Sequence, residues 1–401
     1  MSRLRMNDLV PVARRFCALL ALAASLRHTE AAGVEFDVTL LAIDANEGCD
    51  VGDVDGDGRP DVVAGRNWYR NGDWTPRPLR VIEDKGDYVR SNGDFLFDVN
   101  GDGRLDVIAG DFFSPTVSWY RNPGGKQGAL ARGRLWERRT LVETGCKTNE
   151  FSMLRDLDGD GRPEWITNSW TPSDPLVVWR FTGRTQRGKP WELEPFKLNE
   201  NLSGVGQGHG MGFGDINNDG REDVLVGTGW YERPAGDPWS QAWPFHADWQ
   251  PKLSCPVAVR DVNGDGLADV ICGAPHDFGL YLWLGQGRGP GGGLAFEVQL
   301  VDDACSQLHA VHLADIDGDG DEELITGKRV RAHNGRDPGA KRPPQLVYYD
   351  IGPTASRFQR HAIGRGRVGI GLQIRTADLN ADGKLDIVVA GKDGVQVLLQ
   401  R

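Results

Sequence analysis

The chain has 401 residues, a formal net charge of −11, 54 glycines and 13 tryptophans. An acidic balance with no basic stripe carrying stacking aromatics argues against nucleic-acid binding. Past the first thirty or so residues no apolar run is long enough to span a bilayer, and the cysteines show no CxxC zinc spacing.

At the start of the chain, Arg3, Arg5, Arg14 and Arg15 flank the apolar run "FCALLALAA", which leads into "TEAAG". This pattern predicts a secretory signal over residues 1–31, cleaved near Ala31, and hence a secreted or periplasmic protein. Cys17 has no lipobox before it, so a lipoprotein anchor is not expected. The segment carries five Arg and two acidic residues, a sum of +3, and its loss takes the net charge from −11 to −14. Five cysteines remain, Cys49, Cys146, Cys255, Cys272 and Cys305, an odd number that leaves at least one unpaired.

Next comes a predicted strand, "FDVTLLAID" at 36–44, and then a nine-residue phrase that recurs seven times, on average about 54 residues apart. Its copies place oxygen-bearing side chains at positions 1, 3, 5 and 9: Asp53, Asp55, Asp57 and Asp61 in the first, Asp98, Asn100, Asp102 and Asp106 in the second, Asp156, Asp158, Asp160 and Glu164 in the third. The remaining four offer Asp215, Asn217, Asp219 and Asp223; Asp261, Asn263, Asp265 and Asp269; Asp315, Asp317, Asp319 and Glu323; and Asp378, Asn380, Asp382 and Asp386. Hard oxygen ligands with a glycine that lets the loop wrap are suited to calcium, with up to seven ions adding +14 to the acidic chain. An EF-hand would need flanking helices and a Glu at position 12, where Ala64 and Val226 stand instead.

The flanks are short β-branched runs ended by Gly, such as "DVVAG", "DVIAG" and "DVLVG". Each repeat parses into four strands: one before the acidic loop, one after it, a third with an aromatic pair ("NWYRN", "VSWYRN", "GWYERP") and a fourth ("LRVIED", "RRTLVE", "EVQLVD"). The period suits a four-stranded propeller blade. After the seventh loop only two strands fit before Arg401, and the spare strand at 36–44 can supply the missing one. The expected fold is therefore all-β: a closed seven-bladed propeller over 36–401, its last blade completed from the N terminus, with no exposed sheet edge.

In an up-and-down blade the acidic loops share one face, and the connections that precede the first strands emerge at the other. Six residues before each first Asp stand Glu47, Asn92, Glu150, His209, Cys255, His309 and Leu372, which rotation brings into one ring at the channel mouth. Asp111, His276, Asp277, Lys328, Arg329, Arg331 and His333 reach the same mouth from the connections between second and third strands. Histidine beside carboxylate suits zinc or manganese, or proton transfer near neutral pH. Outer-strand His246 and His361 and mid-strand His312 are expected to be structural. Most tryptophans, in third-strand phrases, are expected to pack between blades.

The phrase of strand, D-x-[DN]-x-D-G-x-x-[DE], strand and Gly resembles the FG-GAP or VCBS repeat of integrin alpha-like propellers and many secreted bacterial proteins, with "GFGD" at 212–215 and "GAP" at 273–275 as partial signatures. That resemblance implies calcium in the loops. A narrower one, carried by "VDDACSQLHAVHLADIDGDG", "GKRVRAHNGRDPGA" and the "GWYERP" phrases, is to the propeller part of aldos-2-ulose dehydratases, which remove water from keto-sugars with the help of a metal. It implies Glu150, His209 and His309 as transition-metal ligands, Glu47, His276 or His333 as acid–base groups, and Lys328 or Arg329 facing oxyanions. The cupin domain of those enzymes has no counterpart in this chain.

Two functions follow as expectations. One is recognition of a glycan, sugar or extracellular protein at the mouth by a non-catalytic calcium propeller. The other is a metal-dependent carbon–oxygen lyase acting on a keto-sugar, which requires zinc or manganese at the mouth in addition to calcium.

Overall fold

The computed structural model describes residues 33–401 except 126–132, 147, 184–186, 188 and 250–255, so the signal at 1–31 and Cys255 lie outside the described residues. Those residues form antiparallel four-stranded meanders; helical structure is confined to three 3-10 turns, Ala332–Gly335, Ala355–Arg357 and Gly364–Gly366. No helix among them is long and apolar enough to cross a membrane.

Every meander is organised around its second strand, the run that follows an acidic loop. Asp61–Ala64, Asp106–Ala109, Glu164–Thr167, Asp223–Val226 and Asp386–Gly391 are buried at every position. Such strands need apolar side chains on both faces, because each sheet packs against the next on either side. The third strands supply the large filler: Trp68, Trp119, Trp230 and Trp283 are all buried, as the aromatic phrases predicted. At roughly 1.5–3 kcal/mol per fully buried large side chain, this repeated packing is the main source of stability.

The arrangement is that of a β-propeller whose innermost strands ring a channel. Asp50–Gly52 lies against Asp94–Phe97 on one side and Ile374–Ala377 on the other, which joins the two ends of the chain. The N-terminal strand, Phe36–Ala42, pairs antiparallel with Gly394–Gln400 in a register running from Phe36 opposite Gln400 to Ala42 opposite Val395. It thereby becomes the outer strand of the last meander, in the sheet expected from the missing fourth strand.

Two details depart from the expected parse. Instead of seven separate sheets there are five four-stranded sheets and one of eight strands, in which two meanders share a ladder. The join is a short parallel pairing of Gly212 with Val257 and Phe213 with Ala258. Gly212 makes it possible: a Cβ there would stand 1.9 Å from Val257 Cγ2. Gly212→Val is therefore expected to force the two inner strands apart at a cost of about 1–3 kcal/mol, readable as a shifted denaturant midpoint. The second departure is in the first meander, whose outer strand is Pro76–Pro78 rather than the "LRVIED" run at 79–84. Proline is tolerated there because the outer edge asks for few N–H donors. The chain beyond it is released to form a small hairpin, Asp84–Lys85 with Tyr88–Val89, over the channel mouth.

Candidate metal centre at the channel mouth

Each acidic loop wraps onto its own first carboxylate. Asp53 accepts the N–H groups of Asp57 and Gly58 at 3.0 and 2.9 Å, and Asp98, Asp215 and Asp378 repeat this with Asp102 and Gly103, Asp219 and Gly220, and Asp382 and Gly383. The ninth residue turns inward instead: Asp61 accepts from Val54 N–H at 3.0 Å and Asn71 N–H at 2.8 Å, tying its strand to the loop and to the turn after the third strand. Three loops gather three carboxylates within 4.8 Å: Asp53, Asp55 and Asp57; Asp156, Asp158 and Glu164; Asp315, Asp317 and Glu323.

Burial with other carboxylates close by pushes Asp61 up to about 6, Asp106 and Asp223 to about 7, Glu323 to about 7 and Glu164 to about 8. Crowded, desolvated carboxylates of this kind fit a hard divalent cation, which would offset their mutual repulsion. Arginines supply part of that charge: Arg59 and Arg70 pair with Asp57 at 3.0 and 2.9 Å.

From these loops the channel leads to the opposite mouth. A cavity of about 1110 Å³ is lined by Asp156, Asp215 and Gly220 at the loop end and by Asn92, Glu150 and Leu372 at the other, where it meets a second cavity of about 620 Å³. Glu47, Asn92, Glu150, His209 and Leu372 all line that second cavity, so the fixed offset does mark one ring.

Glu150, His209 and His333, which line this cavity, and the buried His309 bring four ligand atoms within 4.8 Å of one another. His309 is 1 % exposed. Its Nδ1 donates to Gln307 O at 2.9 Å, which leaves Nε2 a lone-pair acceptor, and this buried atom has no hydrogen-bond partner. An imidazole whose one nitrogen is fixed by a carbonyl while the other is bare is the arrangement that metal-ligating histidines adopt. Burial, together with neighbouring imidazoles and Arg329, lowers His209 to about 3 and His309 well below the ordinary histidine value, so both rings stay neutral and able to coordinate. His209 Nε2 stands 3.7 Å from Glu150 Oε2, and that oxygen is oriented by Trp170 Nε1–H at 2.7 Å. Three neutral imidazoles and one carboxylate fit zinc or manganese.

Beside this cluster, His276 and His333 both turn Nδ1 to Asp337 Oδ2, His276 from 3.2 Å. The segment carrying His333 is held in an unusual backbone: Arg331, His333 and Asn334 have φ of 52°, 50° and 58°. Left-handed conformations at non-glycine residues cost on the order of 1–3 kcal/mol each and persist where surrounding structure requires them.

Two residues at the mouth take roles other than those expected. Glu47 accepts a bidentate pair from Arg329 at 2.7 and 2.9 Å and stands 3.0 Å from Lys392 Nζ. Although burial acts the other way, these two cations hold it at about 2. A carboxylate so firmly ionised is a poor proton acceptor, and its evident job is to orient Arg329, which reaches Glu150 at 3.4 Å. Lys328 does not face the cavity: its Nζ donates to the carbonyls of Gly339, Ala340 and Arg342 at 2.7, 3.1 and 2.5 Å and pins that loop.

His246, His361 and His312 pair with Glu232, Asp350 and Thr376 away from the cluster. Sequence reasoning did not find Asp337, Trp170, Tyr88 or Lys392; the only signal was the spacing of Asp337, four residues after His333.

Two stretches, residues 156–226 and 261–326, match the FG-GAP-like repeat. No curated protein is significantly similar in sequence. Among solved structures, the BP39L lectin from Burkholderia pseudomallei is 14% identical, covering 91% of this chain and 94% of its own, with a TM-score of 0.47. Rhamnogalacturonan lyase YesW is 14% identical over 92% of this chain and 74% of its own, at 0.44, and BBS1N in complex with ARL6DN is 11% identical over 92% and 96%, at 0.47. At these scores the neighbours carry no functional argument. The described chain is thus a β-propeller bearing FG-GAP-like repeats.

Proposed function

We propose that the protein is an exported propeller stabilised by calcium in its acidic loops, and that its channel mouth holds a zinc or manganese ion and acts as a carbon–oxygen lyase on a small keto-sugar. The observation that carries this reading is the bare, buried Nε2 of His309, in a cluster whose ligand atoms, from two further imidazoles and Glu150, lie within 4.8 Å of one another. When bound, the ion supplies Lewis acidity that polarises a carbonyl oxygen of the ligand.

The protein's own groups supply the rest. Glu47 holds Arg329 pointed at the floor, where its guanidinium offsets negative charge developing on the ligand. Proton transfer takes place at the His276–His333–Asp337 group on the cavity edge. The C–H bond next to the carbonyl gives up its proton, its electron pair forms the new C=C bond, and the β-hydroxyl departs with a proton as water. Recognition without turnover is the second reading, favoured by an aromatic wall in which Trp170 is 37 % exposed beside Phe112, Phe113 and Tyr88.

Metal analysis with calcium in excess tests the centre. Stoichiometric zinc or manganese is expected in the wild type, and His209→Ala with His309→Ala should weaken its binding beyond the 10- to 100-fold typical of losing an outer partner. Loss of water from keto-sugars, followed by mass spectrometry, should vanish with the metal. Sugar binding that survives in the double variant without turnover in either protein would instead favour recognition.

A further inference from the structure

His276, His333 and Asp337 form a second ligand set whose atoms also lie within 4.8 Å of one another. Tetrahedral ligand atoms around an ion bound at about 2.0–2.1 Å stand roughly 3.3 Å apart, and His276 Nδ1 lies 3.2 Å from Asp337 Oδ2. His333 Nδ1 meets that same oxygen from a ring whose centroid is 4.1 Å from the His276 ring. Two imidazole Nδ1 atoms from adjacent rings thus converge on one carboxylate oxygen. A shared cation accounts for both nitrogens and the oxygen at once.

We propose that the channel mouth binds two transition ions. The inner one is held by Glu150, His209 and His309, the outer one by His276 and Asp337, and His333 stands between the two sets as a member of both. The proposal rests on the reading of the inner cluster as a metal centre. Two imidazoles and one carboxylate leave coordination positions open, and the side chain of His276 is 51 % exposed, so the outer ion faces the cavity. The left-handed backbone at His333 and its neighbours keeps this ring turned between the two sets.

A consequence is the ligand class. Two ions side by side favour a molecule with two adjacent oxygens, such as an α-hydroxycarbonyl or a vicinal diol, which can address both at once. An ion at the outer set would stabilise charge at the second oxygen, and it would occupy the ring nitrogens that are otherwise free to move a proton.

The test is to load the full-length exported chain with manganese while calcium is in excess, then measure ion content and the electron paramagnetic resonance spectrum. Two manganese ions per chain are expected, with a spectrum broadened by spin coupling; Asp337→Asn should retain one ion and give a resolved six-line signal. One ion in the wild type, kept with the same spectrum in Asp337→Asn, overturns the outer ion and leaves the inner centre standing. Two uncoupled ions, or two ions kept in the variant, also overturn the proposal, and none overturns both it and the metal-centre reading. Because the wild-type count and coupling decide by themselves, the proposal stays open to refutation even if the variant does not fold.

Discussion

Removing calcium is expected to lower the unfolding free energy by about 10 kcal/mol, if the seven loops are each about tenfold saturated and contribute about 1.4 kcal/mol apiece. For a chain of this size that is a fall of roughly 10–20 °C in Tm on adding a chelator, restored by excess calcium. The structural basis is the ninth residue of each loop. Asp61, Asp106, Asp223, Asp269 and Asp386 are completely buried, and each accepts a backbone N–H from the third strand or the residues just after it, most of them with a second from the acidic loop, so an unsettled loop disturbs the sheet it joins.

The pH dependence of the calcium-free protein provides a second readout. Carboxylates raised to about 6, 7 and 8 keep their proton in the folded chain after the unfolded chain has released it. Their protonated form therefore stabilises the fold at low pH, and this contribution is lost as pH rises from about 4 towards about 8. Chelated protein should lose stability over that window, and calcium should abolish the loss. A Tm that ignores both chelator and pH would remove calcium from the account.

Glu47→Ala is the point substitution expected to cost most, about 3–5 kcal/mol, because it removes the carboxylate from the buried Lys392 and leaves the buried Arg329 only Glu150 at 3.4 Å. The side chains of Glu47, Arg329 and Lys392 are 5 %, 5 % and 3 % exposed, so solvent cannot take over the role of the lost carboxylate. Lys392, already drawn down to about 8 chiefly by burial, should fall further and become neutral near physiological pH. Adding Arg329→Met should recover part of the lost stability, and a double-mutant cycle in urea measures the coupling. Additive effects of the two substitutions would show that the pair does not act as a unit. With Arg329 freed, metal content should change little while turnover falls, since Glu47 is not one of the ligand set.

How far the sequence could be read depended on whether a feature repeats. The acidic phrase recurs, so its strands, the closing N-terminal strand and the common ring of Glu150, His209 and His309 all followed from one period and rotational symmetry. Features found once were opaque. Asp337 reaches His276 only because three non-glycine residues between 331 and 334 adopt left-handed backbone, which no pattern announces. Tyr88 and the hairpin that carries it cover the mouth because Pro76 and Pro78 end the first meander early. Glu47 lines the mouth and Lys328 turns away from it, and neither role was legible, since side-chain direction depends on carbonyls and cations contributed by distant residues. The shared eight-stranded sheet likewise depends on side chains absent at Gly210, Gly212 and Gly214, where a Cβ would crowd Pro256, Val257 and Val259.

The pairing of Phe36–Ala42 with Gly394–Gln400 has a bearing on how the molecule is made. Two segments more than 350 residues apart must find each other before the ring can lock, so the final step of folding is the one with the largest loop to close. A chain threaded through a membrane from its N terminus would hold that first strand waiting, unpaired, until the last residues emerge. With Arg401 N–H bonded to Glu35 O at 2.9 Å, residues 35 and 401 lie close enough to be spliced, and a circular permutant joined there and opened in an exposed loop elsewhere should fold without that wait.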